Sequence, residues 1–186
     1  LEAIIRANVR VPDMVFGDIN AMRTAIEVIS RRLDEMWRSA PQTNLSQVAD
    51  EVSSRARSAF LEKLRVIPEG NYYAELDADG ILEGNEEMRK SIHLALTAKM
   101  DGNELVLDFT GTDPQRPRQA INVPISYTLA DAIYAMQYML APAVPNIGPQ
   151  FSPIRVHAPE GCILNAQAPV PVYARTRTGI HISTLV

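Results

Sequence analysis

The chain has 186 residues, a length that suits one globular core. Its formal net charge is -4, so it lacks the excess of positive charge that nucleic-acid binding needs. No apolar run approaches the roughly 20 residues of a transmembrane helix, and the start, LEAIIRANVR, lacks the order of a signal peptide. We therefore expect a cytoplasmic protein with neither nucleic acid nor a membrane as a partner.

The first clear pattern along the chain is that of a long amphipathic helix. Residues 1–16 are predicted to be a connecting segment, because Pro12 disfavours helical backbone at Val11. From Asp18, which we assign as the N-cap, apolar residues recur at three- and four-residue steps until Pro41 ends the helix. These apolar residues are Ile19, Met22, Ile26, Ile29, Leu33 and Met36.

A second amphipathic helix is predicted directly after the first. Asn44 opens it, with Gln47 three residues later in a pair that resembles a capping box. Its inward residues are predicted to be Leu45, Val48, Val52, Ala56, Phe60 and Leu64. Because the connection between the helices is short, we expect them to form an antiparallel pair.

Three strand patterns follow and predict a small antiparallel sheet packed with the helix pair. Residues 71–77 alternate apolar and polar side chains, as do residues 92–99 and 104–109. A loop through Gly84 and Asn85 separates the first two strands, and a short Asp-Gly-Asn turn makes the last two a hairpin.

The C-terminal half is predicted to combine a buried helix with a loop-rich β segment, since most of the 13 prolines lie there. Residues 128–141 are apolar almost all round, which indicates a helix buried on several sides with Thr128 as its N-cap. Residues 154–158 form a strand candidate. A last helix begins at Thr178 and is cut off at Val186, so we expect an α+β fragment of a larger subunit, truncated at both ends.

The most promising polar loop follows the third strand. Period-two geometry places Asp108 on the face opposite Leu105, Leu107 and Phe109, with a run of small polar residues directly after it. Polar groups on loops at strand ends are common in binding sites. The competing interpretation of Asp108 is structural, because an Asp that ends a strand more often caps the following turn.

Other reactive side chains match no known site. His93, His157 and His181 lack metal-ligand spacing, and we expect them on three separate elements. Cys162 is the only cysteine, which excludes an internal disulfide and a thiolate zinc cage made by this chain alone. No paired His marks it as a nucleophile, so a packed thiol is favoured.

Two further signals favour ordinary turns over binding sites. Asp77, Asp79 and Glu83 resemble the start of a calcium loop whose remaining ligands are missing. Gly111 and Gly148 stand alone, without the lysine or the further glycines of a phosphate-binding loop. Neither signal predicts a metal or nucleotide held by this chain.

Short motifs occur in a fixed order from one end of the chain to the other. They are Asn8-Val9-Arg10 with Pro12, Gly17-Asp18, Pro68-Glu69-Gly70-Asn71-Tyr72, Leu76-Asp77-x-Asp79-Gly80, Asp108-Phe109-Thr110-Gly111-Thr112, Asn122-x-Pro124 with Thr128, Pro145-Asn146-x-Gly148, Pro153-Ile154, Pro159-x-Gly161 and Leu164-Asn165 with Pro169-x-Pro171-Val172. Each motif by itself is weak evidence for a family, but about nine motifs in the same order along the chain are strong evidence. The chain resembles the hydantoinase B/oxoprolinase family, which includes N-methylhydantoinase B, the C-terminal part of 5-oxoprolinase and the large subunit of acetone and acetophenone carboxylases. Residues 1–186 would form part of such a domain.

Three positions depart from the pattern expected of that family. Ile147 replaces an acidic or polar residue, Ser152 replaces an Arg before Pro-Ile, and Cys162 replaces a Ser. These differences leave the substrate open.

The resemblance implies a subunit that works in a hetero-oligomer with a hydantoinase A-type, ATP-using partner. Either a cyclic amide such as a hydantoin or 5-oxoproline is hydrolysed after phosphorylation of its oxygen, or a ketone is carboxylated. ATP, Mg and a divalent metal are expected in the complex, with the metal held by an N-terminal region upstream of Leu1. This fragment is expected to bind no cofactor and to be inactive by itself.

The resemblance also suggests which residues shape the substrate pocket, although it identifies no catalytic residue. The predicted substrate-binding residues are Asp108, Thr110, Asn122, Asn146 and Arg175. From the residues alone, Arg155, Arg175 and Arg177 could bind a carboxylate or pair with acids of another subunit. The hypothesis of a different class is a scaffold that docks the ATP-using partner and touches no substrate.

Overall fold

The chain folds as two units, residues 1–49 and residues 50–186. The computed structural model describes residues 2–41, 44–81 and 86–186. The chain combines helices with a four-stranded mixed sheet, which confirms the predicted α+β fold. The assignment of residues 1–186 to one partial domain stays a prediction.

The N-terminal stretch is helical, so the prediction of a connecting segment over residues 1–16 was wrong. Helix α1 spans Glu2–Asn8 and helix α2 spans Pro12–Ser39. Pro12 begins α2 instead of preventing it, because proline's missing N–H and fixed φ suit the first turn of a helix. Asp18 consequently lies inside α2 and is not its N-cap, which is Val11.

Helix α3, Leu45–Leu64, begins where the sequence predicts. The Asn44 side chain caps it: Oδ1 accepts hydrogen bonds from the backbone N–H groups of Ser46, at 3.1 Å, and Gln47, at 3.3 Å. In its second half Phe60 is buried and meets the Phe151 ring edge to face, with centroids 5.4 Å apart. The packing of α2 against α3 as an antiparallel pair stays a prediction.

A four-stranded sheet lies at the centre of the second unit, in the order β1-β2-β3-β4. Strands β1, Gly70–Ala78, β2, Ile92–Asp101, and β3, Glu104–Asp108, pair antiparallel, as predicted. Strand β4, Ile154–His157, joins β3 in parallel, so the sheet is mixed. The short helix α4, Glu86–Arg89, precedes β2; the predicted loop at Gly84 and Asn85 falls outside the described residues.

Helix α5, Ile125–Leu140, covers the core and starts three residues earlier than predicted. Thr128 is therefore not an N-cap: its buried hydroxyl donates to the Leu164 carbonyl at 2.6 Å. The helix is also less enclosed than expected, since Tyr134 and Tyr138 are exposed and stack at 6.2 Å. Its apolar composition thus exceeds what this unit buries.

The chain closes with a 3-10 turn, Pro149–Phe151, and two short helices, α6, Thr176–Gly179, and α7, Ile182–Leu185. The helix predicted from Thr178 is thus divided in two. Ile182 and Leu185 are buried in the core. No helix among residues 2–41, 44–81 and 86–186 combines the length and apolarity that crossing a bilayer requires.

Candidate functional site

The polar loop between β3 and α5, residues 109–124, starts from a capped turn. Asp108 ends β3, and its Oδ1 accepts hydrogen bonds from the N–H of Thr110, at 2.9 Å, and from its hydroxyl, at 2.6 Å. Asp108 is half-buried and Thr110 is exposed. The structural interpretation of this carboxylate is confirmed, because it holds the turn that presents Thr110.

The polar loop then runs along the edge of β2 that β3 leaves unpaired. The Thr112 hydroxyl accepts from the N–H of Ala95, at 3.1 Å, and donates to its carbonyl, at 3.2 Å. The Asp113 carboxylate accepts from the N–H of His93 at 3.1 Å, and the N–H of Asp113 donates to the His93 carbonyl at 2.9 Å. The side chains of Thr112 and Asp113, together with the backbone N–H of Asp113, thus satisfy the part of the β2 edge that β3 does not pair.

Arg116 ties this loop to the start of β2. Its guanidinium donates to the carbonyls of Lys90, at 2.8 Å, and Ser91, at 2.5 Å, and lies 3.5 Å from the Asp113 carboxylate. The side chain is 13% exposed. Because its donors are used within the protein, Arg116 fixes the loop and is not placed to receive a ligand.

Asn122 organises the second half of the loop from within. It is 0% exposed, and its Oδ1 accepts from the N–H of Arg116 at 2.6 Å. Its Nδ2 donates to the carbonyls of Arg116, Gln119 and Pro171, at 2.6 to 2.9 Å. The amide therefore replaces water for four backbone groups, and its place is beneath the loop surface.

Arg175 lies on the segment that Asn122 anchors. Ala174 donates its N–H to the Ala120 carbonyl at 2.8 Å, which joins this segment to the loop. The Arg175 guanidinium donates to the Val172 carbonyl at 3.3 Å and lies 5.9 Å from the centroid of the Tyr127 ring. It is half-buried, so a cation with capacity for an anionic group is presented beside the loop.

Asn146 lies in a different turn, after α5. Its side chain is exposed, and the turn is organised by Gln150, which is fully buried. Gln150 donates to the Pro145 carbonyl at 2.8 Å and accepts from the N–H of Ile147 at 3.2 Å. Gly148 has φ 93°, a backbone conformation that favours glycine.

The structure brings four of the five predicted substrate-binding residues onto one connected framework. Asp108 and Thr110 form its start, Asn122 lies under it, and Arg175 is tied to it through the 171–174 backbone. The side-chain hydrogen bonds of Gln150 hold the Asn146 turn within residues 145–150. Asn146 therefore belongs to a separate turn and not to this framework.

Several polar residues that position this framework were not assigned that role from the sequence. Thr128 and Asn165 donate to backbone carbonyls in the core, at 2.6 and 2.8 Å, and the Gln115 side chain accepts from the N–H of Gln167 at 2.7 Å. Gln115 and Asn165 lie in loops rich in Pro and Gly, which is the only signal for them in the sequence, whereas Thr128 lies in helix α5. That signal marks turns without saying which side chain faces inward.

The remaining candidates divide as follows. Cys162 is buried, and burial raises the pKa of its thiol, so it is a packed thiol as predicted. The three histidines lie on β2, on β4 and before α7, on separate elements. Within residues 2–41, 44–81 and 86–186, no group of three or more His, Cys, Asp or Glu side chains could hold a metal ion. Glu83 lies outside those ranges.

Chemically, the framework is a rigid surface with few free groups. Its carboxylates and amides are engaged in holding backbone. The Thr110 residue is exposed, with its hydroxyl donating to Asp108, and Arg175 is half-buried. Such a surface can orient an anionic or carbonyl-containing ligand. Among the described residues it presents no activated nucleophile.

The chain is similar in sequence to a known family over its whole length. The profile of the Hydantoinase B/oxoprolinase family matches residues 1–186. A protein of Pseudomonas sp. strain NS671, provisionally named as the B-type subunit of a D-/L-hydantoinase, is 30% identical over 182 residues, covering 95% of this chain and 31% of that protein. An uncharacterised protein of Methanocaldococcus jannaschii is 24% identical over 169 residues, 91% of this chain and 28% of that protein. The chain thus spans about a third of the length of these curated relatives.

Two solved structures share the fold. An ATP-dependent caprolactamase from Pseudomonas jessenii has a TM-score of 0.76 at 21% identity, covering 96% of this chain and 30% of that one. A nucleotide-free acetone carboxylase has a TM-score of 0.65 at 14% identity, covering 81% of this chain and 21% of that one. At these identities the similarity establishes the fold alone.

Proposed function

The chain belongs to the hydantoinase B/oxoprolinase family, and we propose that it is part of the hydantoinase B-type subunit of an ATP-dependent enzyme that hydrolyses a cyclic amide. The substrate would be a hydantoin or 5-oxoproline. The observation that carries this proposal is the family match across residues 1–186, together with 30% identity to a hydantoinase B-type protein. The subunit would work in a cytoplasmic hetero-oligomer with a hydantoinase A-type, ATP-using partner.

The chemistry explains why such an enzyme needs a preorganised surface. A cyclic amide is a poor electrophile, and phosphorylation of its oxygen makes the carbon open to attack by water. The resulting anionic intermediate must be oriented and kept from bulk solvent. We assign the framework around residues 109–124 to one wall of that chamber, with Thr110 and Arg175 facing the ligand and Asp108 and Asn122 holding the backbone behind them.

ATP, Mg and a divalent metal belong, in this proposal, to other parts of the complex. The described residues do not fit a metal, because no three of their ligand side chains converge. No step of the reaction is therefore assigned to a metal on this chain. The chain's own contribution is orientation of the substrate, and by itself it would be inactive.

A ketone carboxylase is the second candidate, favoured by the fold shared with acetone carboxylase. In hydrolysis, water attacks the activated carbon of the amide. In carboxylation, the carbon derived from bicarbonate is the electrophile that the ketone attacks. An assay of the intact complex for ATP consumption with hydantoins, 5-oxoproline, acetone and acetophenone separates them. Turnover of a cyclic amide without bicarbonate is expected; turnover of ketones that requires bicarbonate would replace the first candidate by the second.

The scaffold hypothesis is tested on the same complex. Arg175→Gln is expected to lower kcat/KM by about tenfold or more, because a ligand-facing cation is lost. The matched control is Lys99→Gln, on β2, where the exposed amine pairs with Asp101. Unchanged kinetics for both variants in an intact assembly would show that this chain is scaffold.

A further inference from the structure

Two stretches of the second unit, residues 114–130 and residues 161–186, contain arginines but no Asp or Glu. The chain as a whole is acidic, with Asp+Glu 22 against Lys+Arg 18. These two stretches are therefore basic parts of an acidic protein. Their arginines are Arg116 and Arg118 in the first stretch and Arg175 and Arg177 in the second.

The structure brings the two stretches together through hydrogen bonds. Nδ2 of the buried Asn122 donates to the Gln119 carbonyl at 2.6 Å and to the Pro171 carbonyl at 2.9 Å. The N–H of Ala174 donates to the Ala120 carbonyl at 2.8 Å. The turn that contains the second arginine of the first stretch thus lies beside the segment that leads into the arginines of the second.

Three of the four arginines lack a carboxylate partner. Arg116 lies 3.5 Å from the Asp113 carboxylate. Arg118, Arg175 and Arg177 form no ion pair within residues 2–41, 44–81 and 86–186. Arg118 and Arg177 are exposed, and Arg175 is half-buried. We name these three residues the arginine surface.

Arg175 is the member of the arginine surface that is best prepared to bind an anion. Its guanidinium donates to the Val172 carbonyl at 3.3 Å, and it makes no other hydrogen bond to the described residues. A guanidinium has further N–H donors, which match a phosphate or carboxylate in pairs. Because partial burial of an unpaired cation costs free energy, an anion at this position would be favoured.

The surroundings of Arg175 hold it in place and contain a second group without a partner. The Tyr127 ring lies 5.9 Å from the guanidinium, and its Cε1 packs against Gly179, where a Cβ would lie only 2.3 Å away. Thr178 follows Arg175 by three residues in the same helical turn. Its hydroxyl is buried and has no hydrogen-bond partner among the described residues. Such a group is expected beside the site of a polar ligand.

We propose that the arginine surface is a subsite for the phosphoryl group of the activated substrate. A phosphoryl group carries more than one negative charge, and guanidinium groups bind its oxygens in a fixed geometry. Arg175 makes the direct contact, while Arg118 and Arg177 raise the positive potential around it. The inference rests on the proposed ATP-dependent reaction and names the group that this wall of the chamber recognises.

Binding of inorganic phosphate tests the proposal without measuring turnover. Isothermal titration calorimetry is carried out on the full-length subunit without its ATP-using partner, with inorganic phosphate in one arm and ATP in the other. Arg175→Gln is compared with the native protein and with Arg65→Gln, a matched control in which an exposed arginine loses its hydrogen bond to Asn103. Arg177→Gln is a second test at an exposed position, should Arg175→Gln fail to fold.

Arg175→Gln is expected to raise the Kd for phosphate by about tenfold or more, because charge-assisted hydrogen bonds are lost. Arg177→Gln should raise it by about two- to threefold through the weaker potential, and Arg65→Gln should leave it unchanged. Absence of phosphate binding by the native subunit, or equal Kd values for the native and both surface variants, would overturn the proposal.

The ATP arm distinguishes the two sources of a phosphoryl group. ATP is expected to bind the native subunit and Arg175→Gln equally. ATP binding that depends on Arg175 more strongly than phosphate binding does would assign the surface to the nucleotide and refute the proposal. If phosphate binding depends on Arg175 but the intact complex hydrolyses no cyclic amide, the proposed reaction fails and the phosphate subsite stands.

Discussion

Residues 1–49 and residues 50–186 have equally regular apolar patterns, yet only the second unit buries its pattern. Phe60, Leu94 and Leu107 are 0 to 1% exposed, whereas Ile26 and Ile29 of α2 are 64% and 58% exposed. Periodicity defines which face of an element is apolar, but burial requires a partner surface of matching shape. The difference teaches that a strong helix signal carries no information on whether the partner lies within the same stretch of chain.

The polar residues of the two units differ in the same way. The ion pairs of Arg6, Arg23 and Arg32 are exposed and contribute little to stability. Asn122 and Gln150, by contrast, are fully buried and bond to backbone groups that cannot reach water. These buried amide contacts are therefore part of the packing of the second unit, which also carries exposed ion pairs such as Lys99–Asp101.

The largest expected effect compares an apolar residue from each unit. Phe60→Ala removes a ring buried against Phe151 and should lower the free energy of unfolding by about 3–5 kcal/mol, measured by urea denaturation of the 186-residue chain. Ile29→Ala should change it by less than about 0.5 kcal/mol, because the side chain is exposed. Similar costs for the two variants would show that α2 is packed in the isolated chain.

The second comparison is between two asparagines that the sequence treats alike. Asn122→Ala leaves one N–H and three carbonyls without their partner and should cost about 3 kcal/mol, again by urea denaturation. Asn146→Ala is the control, with an expected change below about 0.5 kcal/mol because the side chain is exposed. A cost for Asn122→Ala as small as that of the control would contradict its structural role.

Two glycines sharpen the comparison in opposite directions. A Cβ on Gly179 would lie 2.3 Å from Cε1 of Tyr127, so Gly179→Ala should cost about 1–3 kcal/mol. A Cβ on Gly17, inside α2, meets nothing within 4 Å. Gly17→Ala should therefore stabilise the helix by up to about 1 kcal/mol, so that the variant keeps more of its helical circular dichroism signal on heating than the native chain does. In a Tyr127→Leu background the cost at Gly179 should shrink, and an unchanged cost would point to a clash elsewhere.

The smallest effect concerns Asp131 on α5, where burial raises the pKa of the carboxyl above that of an ordinary Asp. A raised folded-state pKa gives stability that is present below the ordinary pKa and is lost as the pH rises through the folded value. Asp131→Asn should therefore stabilise the chain at pH 7 and match the native chain near pH 3. Because the group is partly exposed, the gain is at most about 0.5 kcal/mol, and its absence in urea titrations at both pH values would remove burial as the cause.

The candidate site could be foreseen only in part from the sequence. Alternation along β3 and the small polar residues after it identified Asp108 and Thr110 as candidates, and the two residues are hydrogen-bonded in a capped turn. The sequence does not predict the orientation of the Asn122 side chain, because a loop rich in Pro and Gly has no periodicity that would identify an inward face. Arg116 and Gln150 were missed as organising residues for the same reason.

By itself, the sequence determined the α+β class, the three antiparallel strands, the Asn44 cap and the family, since each depends on neighbours in the chain or on an ordered set of motifs. Only the tertiary structure decided the parallel pairing of β4 with β3, the burial of Asn122 and the exposure of α2. These depend on contacts between residues far apart in the chain, or on their absence, and local patterns do not encode which distant surfaces meet.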